Sequence, residues 1–354
     1  MISVLPAFPK DPSTVCVAYA TDARFVPCTS VSVLSLREHA DPERSYDVVI
    51  LGRDLSEDQR EKLRSLSCPP RFSVRVAETD DVLGGTVPYT ENRADLTTTA
   101  YYRLFLPWIL EKYEKVLYLD GDTLAFRDVA ALFDTELGEN LVAAVPDYDS
   151  FSDNGNANPE EYRYRRDTLR LHDINGYFNS GVLLMNAKEF RREFSPEHIL
   201  EMILMRQWRA HDQDVLNVLC DGKVTPLNWR WNYVSFFVLH TRIRRIVTDQ
   251  QWHDYLENWE PWIRHYISQA KPWTVQCGYD TLAYWRMAER SPFAEELYRA
   301  SETSGDPLPL WSAYDMPTYV RQQVEDGNFG MRGILSLIPC WIRSKFGKFR
   351  EKTQ

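Results

Sequence analysis

The sequence predicts an α/β protein built on a sheet with parallel neighbours. Through the first two hundred residues, apolar runs of about four to six residues alternate with stretches of helical spacing. Each run is rich in Val and Leu and closes on Asp, Gly or Pro, which is how buried strands end. After about residue 275 the strand signals stop and the chain turns helical, aromatic and charged.

The first run, residues 15–20 (VCVAYA), is followed by apolar residues at helical spacing over 28–39. The second, 46–51 (YDVVIL), is followed by a helical pattern at 57–65, and a third strand is predicted at 72–76. Residues 96–106 read as a helix interrupted by Pro107, whose ring and missing N–H break the i to i−4 ladder. Strands follow at 116–119 (VLYL), 141–145 (LVAAV) and 181–185 (GVLLM). Ser195-Pro196-Glu197 has the order of an N-cap, a first-turn proline and a first-turn acid, so 196–207 should be helical. Strand and helix in alternation favour an α/β sheet with parallel neighbours.

The 354 residues carry 44% hydrophobic content, enough for one large domain with an appendage. A formal net charge of -10 argues against a nucleic-acid partner. The six cysteines, Cys16, Cys28, Cys68, Cys220, Cys277 and Cys340, lie far apart with no C-x-x-C pair. They read as reduced thiols of a cytoplasmic protein. No segment has the length of a membrane span and the N-terminus lacks a signal-peptide pattern. Residues 331–354 depart from the acidic average, with Arg332, Arg343, Lys345, Lys348, Arg350 and Lys352 against Glu351. This basic, amphipathic tail reads equally as a peripheral anchor on an anionic membrane surface or as a helix docked on its own protein.

The most informative segment is 115–122, KVLYLDGD. An apolar strand ends in two carboxylates separated by a glycine. In an extended chain, residues two apart point the same way, so Asp120 and Asp122 can converge on one cation. Gly121, lacking a side chain, leaves room for a phosphate beside the backbone. Such oxygen ligands suit Mn²⁺, or Mg²⁺ as the alternative ion. The competing reading is an ordinary Asp-Gly-Asp turn.

Other segments carry polar residues in suggestive places. In 18–25 (AYATDARF), Asp22 follows the first strand and either accepts from a base N–H or caps the next turn. In 177–186 (YFNSGVLLMN), an Asn-Ser-Gly turn feeds directly into a strand. In 211–217 (HDQDVLN), Asp212 opens a helix and reads either as a site residue or as an N-cap. In 264–273 (RHYISQAKPW), His265 could complete a carboxylate metal site and Lys271 could neutralise phosphate charge.

In this order, AxATD, YYRLFLP, VLYLDGD, FNSGVLLMN, HDQDVLN and HYxxxxKPW resemble the retaining glycosyltransferase family 8, over roughly residues 15–273. That family includes bacterial lipopolysaccharide galactosyl- and glucosyltransferases and is related to glycogenin. The resemblance implies a GT-A type, single Rossmann-like nucleotide-binding domain with a mostly parallel, mixed sheet over residues 1–275, and a helical C-terminal extension over 276–354. It implies Asp120, Asp122 and His265 as ligands of Mn²⁺ against the UDP pyrophosphate. Ala20 and Asp22 match uridine contacts, Arg103 a donor contact, and Lys271 a pyrophosphate contact. Asn179, Asp212 and Gln213 match residues lining the transferred sugar.

The implied reaction is transfer of glucose or galactose, with retention, from UDP-glucose or UDP-galactose to a saccharide or glycolipid acceptor. Two positions depart from the family pattern: Arg24, where Asn is usual, and Ser268, where Gly is usual. An inactive UDP-sugar-binding protein is one rival. A phosphatase of the haloacid dehalogenase type is the other, although Leu124 stands where that motif has Thr or Val. The polar stretch 148–176, with Arg163, Arg165 and Arg166 at its centre, reads as a basic lid or acceptor groove suited to an anionic saccharide or lipid-linked acceptor, or else as a solvated surface loop.

Overall fold

The computed structural model describes residues 3–78, 98–147, 158–234, 260–267, 271–273 and 279–303, with residues 82, 83, 85 and 88. Strands β1 (Val15–Asp22), β2 (Tyr46–Arg53), β3 (Phe72–Glu78), β4 (Lys115–Leu119), β5 (Thr123–Ala125), β6 (Val142–Pro146), β7 (Phe178–Asn186), β8 (Val224–Pro226) and β9 (Ile263–His265) make two sheets. Seven of them form one sheet in the order β3-β2-β1-β4-β7-β6-β8, and β5 pairs separately with β9.

Within the large sheet β1, β2, β3 and β4 run parallel. Strand β7 is antiparallel to both of its neighbours, β4 and β6. The sheet is therefore mixed and mostly parallel, as expected. Val15 to Tyr19 on β1 and Val48 to Leu51 on β2 are fully buried. That is why these strands read as unbroken apolar runs: a sheet covered on both faces has no solvent side to alternate with. The chain builds outward from β1 through β2 to β3, then returns to place β4 on the other side of β1. This is a topological switch point, and the crevice at the carboxyl ends of β1 and β4 is where such sheets bind ligands.

The helices are α1 (Val26–His39), α2 (Glu57–Arg64), α3 (Leu106–Ile109), α4 (Ala130–Phe133), α5 (Pro159–Arg163), α6 (Ala187–Glu193), α7 (Pro196–Leu204), α8 (Asp212–Leu219), α9 (Tyr279–Ala288) and α10 (Ala294–Thr303). Helix α1 buries a hydroxyl face as well as an apolar one. Thr29 Oγ1 donates to Thr21 Oγ1 (3.0 Å), Ser32 Oγ shares a hydrogen bond with Thr123 Oγ1 (2.8 Å), and Ser35 Oγ accepts from Ala125 N (2.9 Å). These bonds fasten α1 to β1 and to β5.

Three expectations are corrected. The helix at 96–106 is a 3-10 helix over Thr98–Phe105, and residues 96 and 97 lie outside the described residues. Pro107 does not interrupt it; Pro107 sits in the first turn of α3, where no intrahelical N–H is needed. The helix after Ser195 ends at Leu204, three residues early, and is capped as expected, with Ser195 accepting from His198 N at 3.2 Å. Strands β5, β8 and β9 escaped notice because three residues are too few to show a period.

Contacts divide the chain into two units, Met1–Val234 with Glu260–His265, and Ser235–Trp259 with Tyr266–Gln354. In the second, α9 carries Tyr284 against Tyr266 and Trp273, with ring centroids 5.8 and 5.2 Å away. Trp285 donates its indole N–H to the Pro272 carbonyl (3.0 Å) and stacks on Tyr298 of α10. The helical character expected after residue 275 holds over 279–303. The basic tail at 331–354, Ser268, and residues 148–157 of the polar stretch lie outside the described residues. Among the described residues, no helix is long and apolar enough to cross a membrane.

Candidate metal and donor site

The acidic pair follows β4. Asp120 N donates to the Gly181 carbonyl (2.8 Å), and Thr123 N returns to the Asp120 carbonyl (3.2 Å), closing a turn over Gly121 and Asp122. The two carboxylates thus converge by a turn and not along the extended chain that was expected, so the turn reading describes the backbone here. Gly121 is required by its own protein before any ligand: a Cβ there would overlap Thr29 Oγ1 and press on Phe25 at 3.2 Å. On β9, His265 pairs directly with Thr123, which carries its ring beside Asp122. His265 Nε2 is 3.2 Å from Asp122 Oδ1 and 3.6 Å from Asp120 Oδ2.

One ligand atom from each of Asp120, Asp122 and His265 lies within 4.8 Å of the other two. The donors suit a divalent cation of the Mn²⁺ or Mg²⁺ kind: two carboxylates and one imidazole. Two neighbours fit them to it. His265 Nδ1 is hydrogen-bonded to Asn232 Oδ1 (2.9 Å), leaving Nε2 turned to the carboxylates. Gly181 lies against the cluster so closely that a Cβ would overlap the His265 ring and stand 2.6 Å from Asp120 Oδ2.

Beside this cluster Arg103 is buried, at 5% exposure, with every arm engaged. Its Nη2 donates to Asp120 Oδ1 (2.8 Å), Nη1 to the carbonyl (2.7 Å) and hydroxyl (3.1 Å) of Ser180, and Nε to the Ala100 carbonyl (2.9 Å). Nε also lies 3.1 Å from Asp212 Oδ2. Asp212 is not the N-cap of α8; His211 holds that position with φ 53, and Asp212 turns inward, 3% exposed. Burial, with some help from Asp120, pushes the Asp212 carboxyl up to about 6, against the opposing pull of Arg103 and the Ser180 hydroxyl.

Gln213 accepts from Ser180 N (3.0 Å) and donates to Asp147 Oδ2 (3.0 Å) and to the Tyr177 hydroxyl (3.2 Å). Tyr177 and Tyr164 both donate to Asp214, at 2.7 and 2.6 Å. Asn179 Oδ1 accepts from Gly181 N (3.0 Å) and from Asn232 Nδ2 (2.8 Å). Strand β7 therefore carries three consecutive supports: Asn179 against Asn232, Ser180 against Arg103 and Asp212, and Gly181 against Asp120 and His265.

Ala20 and Asp22 lie at the end of β1, whose register with β4 (Ala18 opposite Tyr118) sets them at the same sheet edge as Asp120. Asp22 caps the turn into α1, its Oδ1 accepting from Arg24 N and Phe25 N at 2.9 Å each. Lys271 belongs to the second unit, where it donates to the Tyr266 carbonyl and faces the Trp273 ring at 5.9 Å. Arg165 corrects the expectation for the arginine run: it is fully buried, 4.0 Å over the Tyr177 ring and paired with Glu161. Arg163 is exposed, while Arg166, also exposed, pairs with Asp167. The run is thus split by a short π-helix, Tyr164–Leu169, that turns its middle arginine inward.

A mixed sheet with its switch point at β1 and β4, and an acidic pair at that edge, define a GT-A type glycosyltransferase fold. The sequence model of Glycosyl transferase family 8 matches residues 16–277, and the chain belongs to that family. The haloacid dehalogenase reading is thereby set aside. The chain is 24% identical over 285 residues to the lipopolysaccharide 1,3-galactosyltransferase of Salmonella typhimurium, covering 78% of this chain and 79% of that one. It is 24% identical over 305 residues to the lipopolysaccharide 1,2-glucosyltransferase of Escherichia coli, covering 81% of each. General stress protein A of Bacillus subtilis matches at 24% over 247 residues, 68% of this chain and 80% of that one. Among solved structures, galactosyltransferase LgtC in complex with donor and acceptor sugar analogs superposes with a TM-score of 0.64. The identity is 25%, over 81% of this chain and 100% of that one. The bifunctional glycosyltransferase WbbM gives a TM-score of 0.68 at 24% identity; this chain covers 53% of it.

The sequence reading missed Asn232, Ser180, Gly181 and Tyr118. Tyr118 donates to Asp120 Oδ1 (2.7 Å) and lies under the Arg103 guanidinium at 4.4 Å. Residues 180 and 181 were visible inside the Asn-Ser-Gly turn. Asn232 gave no local signal, because its importance comes from a contact 33 residues away.

Proposed function

We propose that this chain is a metal-dependent, retaining hexosyltransferase. It transfers glucose or galactose from UDP-glucose or UDP-galactose to a saccharide or glycolipid acceptor of a lipopolysaccharide or other cell-surface glycan. The observation that carries the reading is the convergence of Asp120, Asp122 and His265 beside a buried carboxylate, Asp212, with Arg103 joined to both acidic groups. The family supplies the reaction type, and the Salmonella and Escherichia relatives supply the sugar and acceptor class.

In this reading Asp120, Asp122 and His265 hold Mn²⁺, with Mg²⁺ as the alternative, and the ion supplies charge stabilisation to the departing UDP. Ala20 and Asp22 meet uridine at the sheet edge, Gly121 lets phosphate approach, and Lys271 adds a point charge for pyrophosphate. The bond from the anomeric carbon to the UDP oxygen breaks and a bond to the acceptor hydroxyl oxygen forms on the same face. The hydroxyl proton leaves with the departing phosphate. Asp212, ionised and fixed by Arg103 and Ser180, faces the positive charge that grows on the sugar, with Gln213 and Asn179 positioning its hydroxyls. Arg103 serves the donor through the two carboxylates that it joins. We further assign residues 1–275 to the catalytic domain and 276–354 to an extension whose basic end, 331–354, attaches to an anionic membrane surface from the cytoplasmic side.

The test is calorimetric titration of UDP with and without Mn²⁺, beside Asp122→Ala, followed by turnover of UDP-glucose and UDP-galactose. Metal-dependent UDP binding that disappears in the variant supports the reading; a folded protein that does not bind UDP with Mn²⁺ present overturns it. UDP binding with no transfer to any acceptor would leave the binding-protein alternative in its place.

A further inference from the structure

His265 is a ligand only if its Nε2 bears a lone pair, and the histidine ring itself does not dictate which nitrogen keeps the proton. The surroundings do. The Gly181 backbone N–H is an obligate donor and lies 3.0 Å from the Asn179 side chain, so the atom facing it must be the carbonyl oxygen. That same oxygen lies 2.8 Å from the Asn232 amide, which must then present its NH₂. The other end of the Asn232 amide is thereby its oxygen, 2.9 Å from His265 Nδ1. An oxygen without a proton needs a donor, so Nδ1 carries the hydrogen, and the neutral ring then has its lone pair on Nε2, toward Asp120 and Asp122. Asn232 is 1% exposed and His265 3%, so water does not compete for these bonds.

We propose that Asn232 is a positioning residue for the metal site: it relays the direction of the Gly181 N–H through Asn179 and fixes His265 as its Nδ1–H tautomer. The proposal rests on the metal reading given above. It explains why a half-buried Asn179 and a buried Asn232 stand in series behind one histidine.

Two variants test it, with Mn²⁺ itself as the probe. Asn232→Leu keeps the approximate volume and removes both ends of the relay. Asn232→Asp keeps an oxygen facing Nδ1. Mn²⁺ affinity is measured by calorimetry, and the tautomer of His265 by ¹⁵N shifts of histidine-labelled, metal-free protein, its signals assigned with His265→Gln. In the wild-type protein, Nδ1 should be the protonated nitrogen. Asn232→Leu should lose that signature and bind Mn²⁺ about 10- to 100-fold more weakly, the usual cost of removing an outer partner of a metal histidine. Asn232→Asp should keep the Nδ1–H signature, and this arm stands even if the leucine variant does not fold. A wild-type Nε2–H tautomer, or a folded Asn232→Leu with unchanged Mn²⁺ affinity, overturns the proposal. Failure of the wild-type protein to bind Mn²⁺ while its Nδ1–H signature is present would instead overturn the metal reading alone.

Discussion

Asp120 and Asp212 are tied together by one guanidinium, Arg103 Nη2 lying 2.8 Å from the first and Nε 3.1 Å from the second. The first directly follows β4 and the second starts α8, so a single side chain sets the distance between the acidic pair and the carboxylate assigned to the sugar. Removing one partner of a buried ion pair leaves uncompensated charge and costs about 3–5 kcal/mol. Arg103→Leu is therefore expected to lower the thermal midpoint markedly and to reduce turnover about 100-fold or more, since a fixed electrostatic group at the site is lost. Arg103→Lys should recover part of the stability and little of the turnover, because a point ammonium cannot span both carboxylates. Thermal unfolding beside steady-state turnover of UDP-sugars separates the two effects.

Asp212 gives a pH signature with a definite sign. Its carboxyl is raised by burial from 3.8 to about 6, so the folded protein holds a proton that the unfolded chain releases earlier. The stability that this proton contributes is fully present below pH 3.8 and lost as pH rises through about 6. Turnover, which needs the carboxylate, should run the other way and climb through the same window. Asp212→Asn should remove the stability slope and abolish most of the activity. Urea unfolding of metal-free protein at several pH values, with the pH dependence of kcat/KM, checks both limbs. A rate that falls as pH rises from 5 to 7 would remove Asp212 from its assigned role.

The strands that bury both faces were legible because their Val and Leu runs are continuous, and β1, β2 and β4 fell within two residues of the expected limits. Asp120 and Asp122 were legible for the same reason: the run before them is plainly a strand, and its end is where a sheet of this class binds ligands. His265 stood out locally as no more than a lone imidazole, and the resemblance to a family pattern gave it its place beside the acidic pair. Nothing local marks a three-residue strand, and what gives this histidine meaning is its pairing with Thr123, 142 residues earlier. The arginine run failed for a different reason. Sequence spacing treats Arg163, Arg165 and Arg166 alike, but a π-helix at that point aims Arg165 onto Tyr177. Helix α1 was read from its apolar residues, whereas its hydroxyls hold it to β5, the strand just after the acidic pair.

Gly181→Ala probes the tight fit around the metal ligands. The added methyl would meet the His265 ring and the Asp120 carboxylate, whose nearest oxygen is 2.6 Å from the Cβ position. Overfilling a close-fitting site costs about 1–3 kcal/mol, and here the strain falls on two groups that must converge. Mn²⁺ affinity should fall at least about tenfold, with a smaller loss of thermal stability. Unchanged Mn²⁺ affinity in the alanine variant would show that the ligands can shift without penalty and that Gly181 is not part of the fit.

Asp47 offers the converse case, a buried charge remote from the site. It stands near the start of β2, fully buried, where Arg75 grips it with Nη2 at 2.6 Å and Nε at 2.9 Å. Ala7 N donates to it at 2.8 Å, and the Tyr113 hydroxyl donates as well. Arg75 also donates to the Leu5 carbonyl (2.7 Å), so the cluster pins the N-terminal segment across β2 and β3. The strands β1 and β2 run parallel, which puts Asp47 beside Cys16, at the opposite end of the sheet from Asp22 and Asp120. Asp47→Ala should therefore cost about 3–5 kcal/mol through its stranded partners. It should leave Mn²⁺ and UDP affinity unchanged in the folded fraction, because separated sites with no shared contacts behave independently. Denaturant unfolding and calorimetry on the same preparation decide it. A variant that keeps its stability but loses UDP binding would mean that the two ends of the sheet are coupled through β1 and β2.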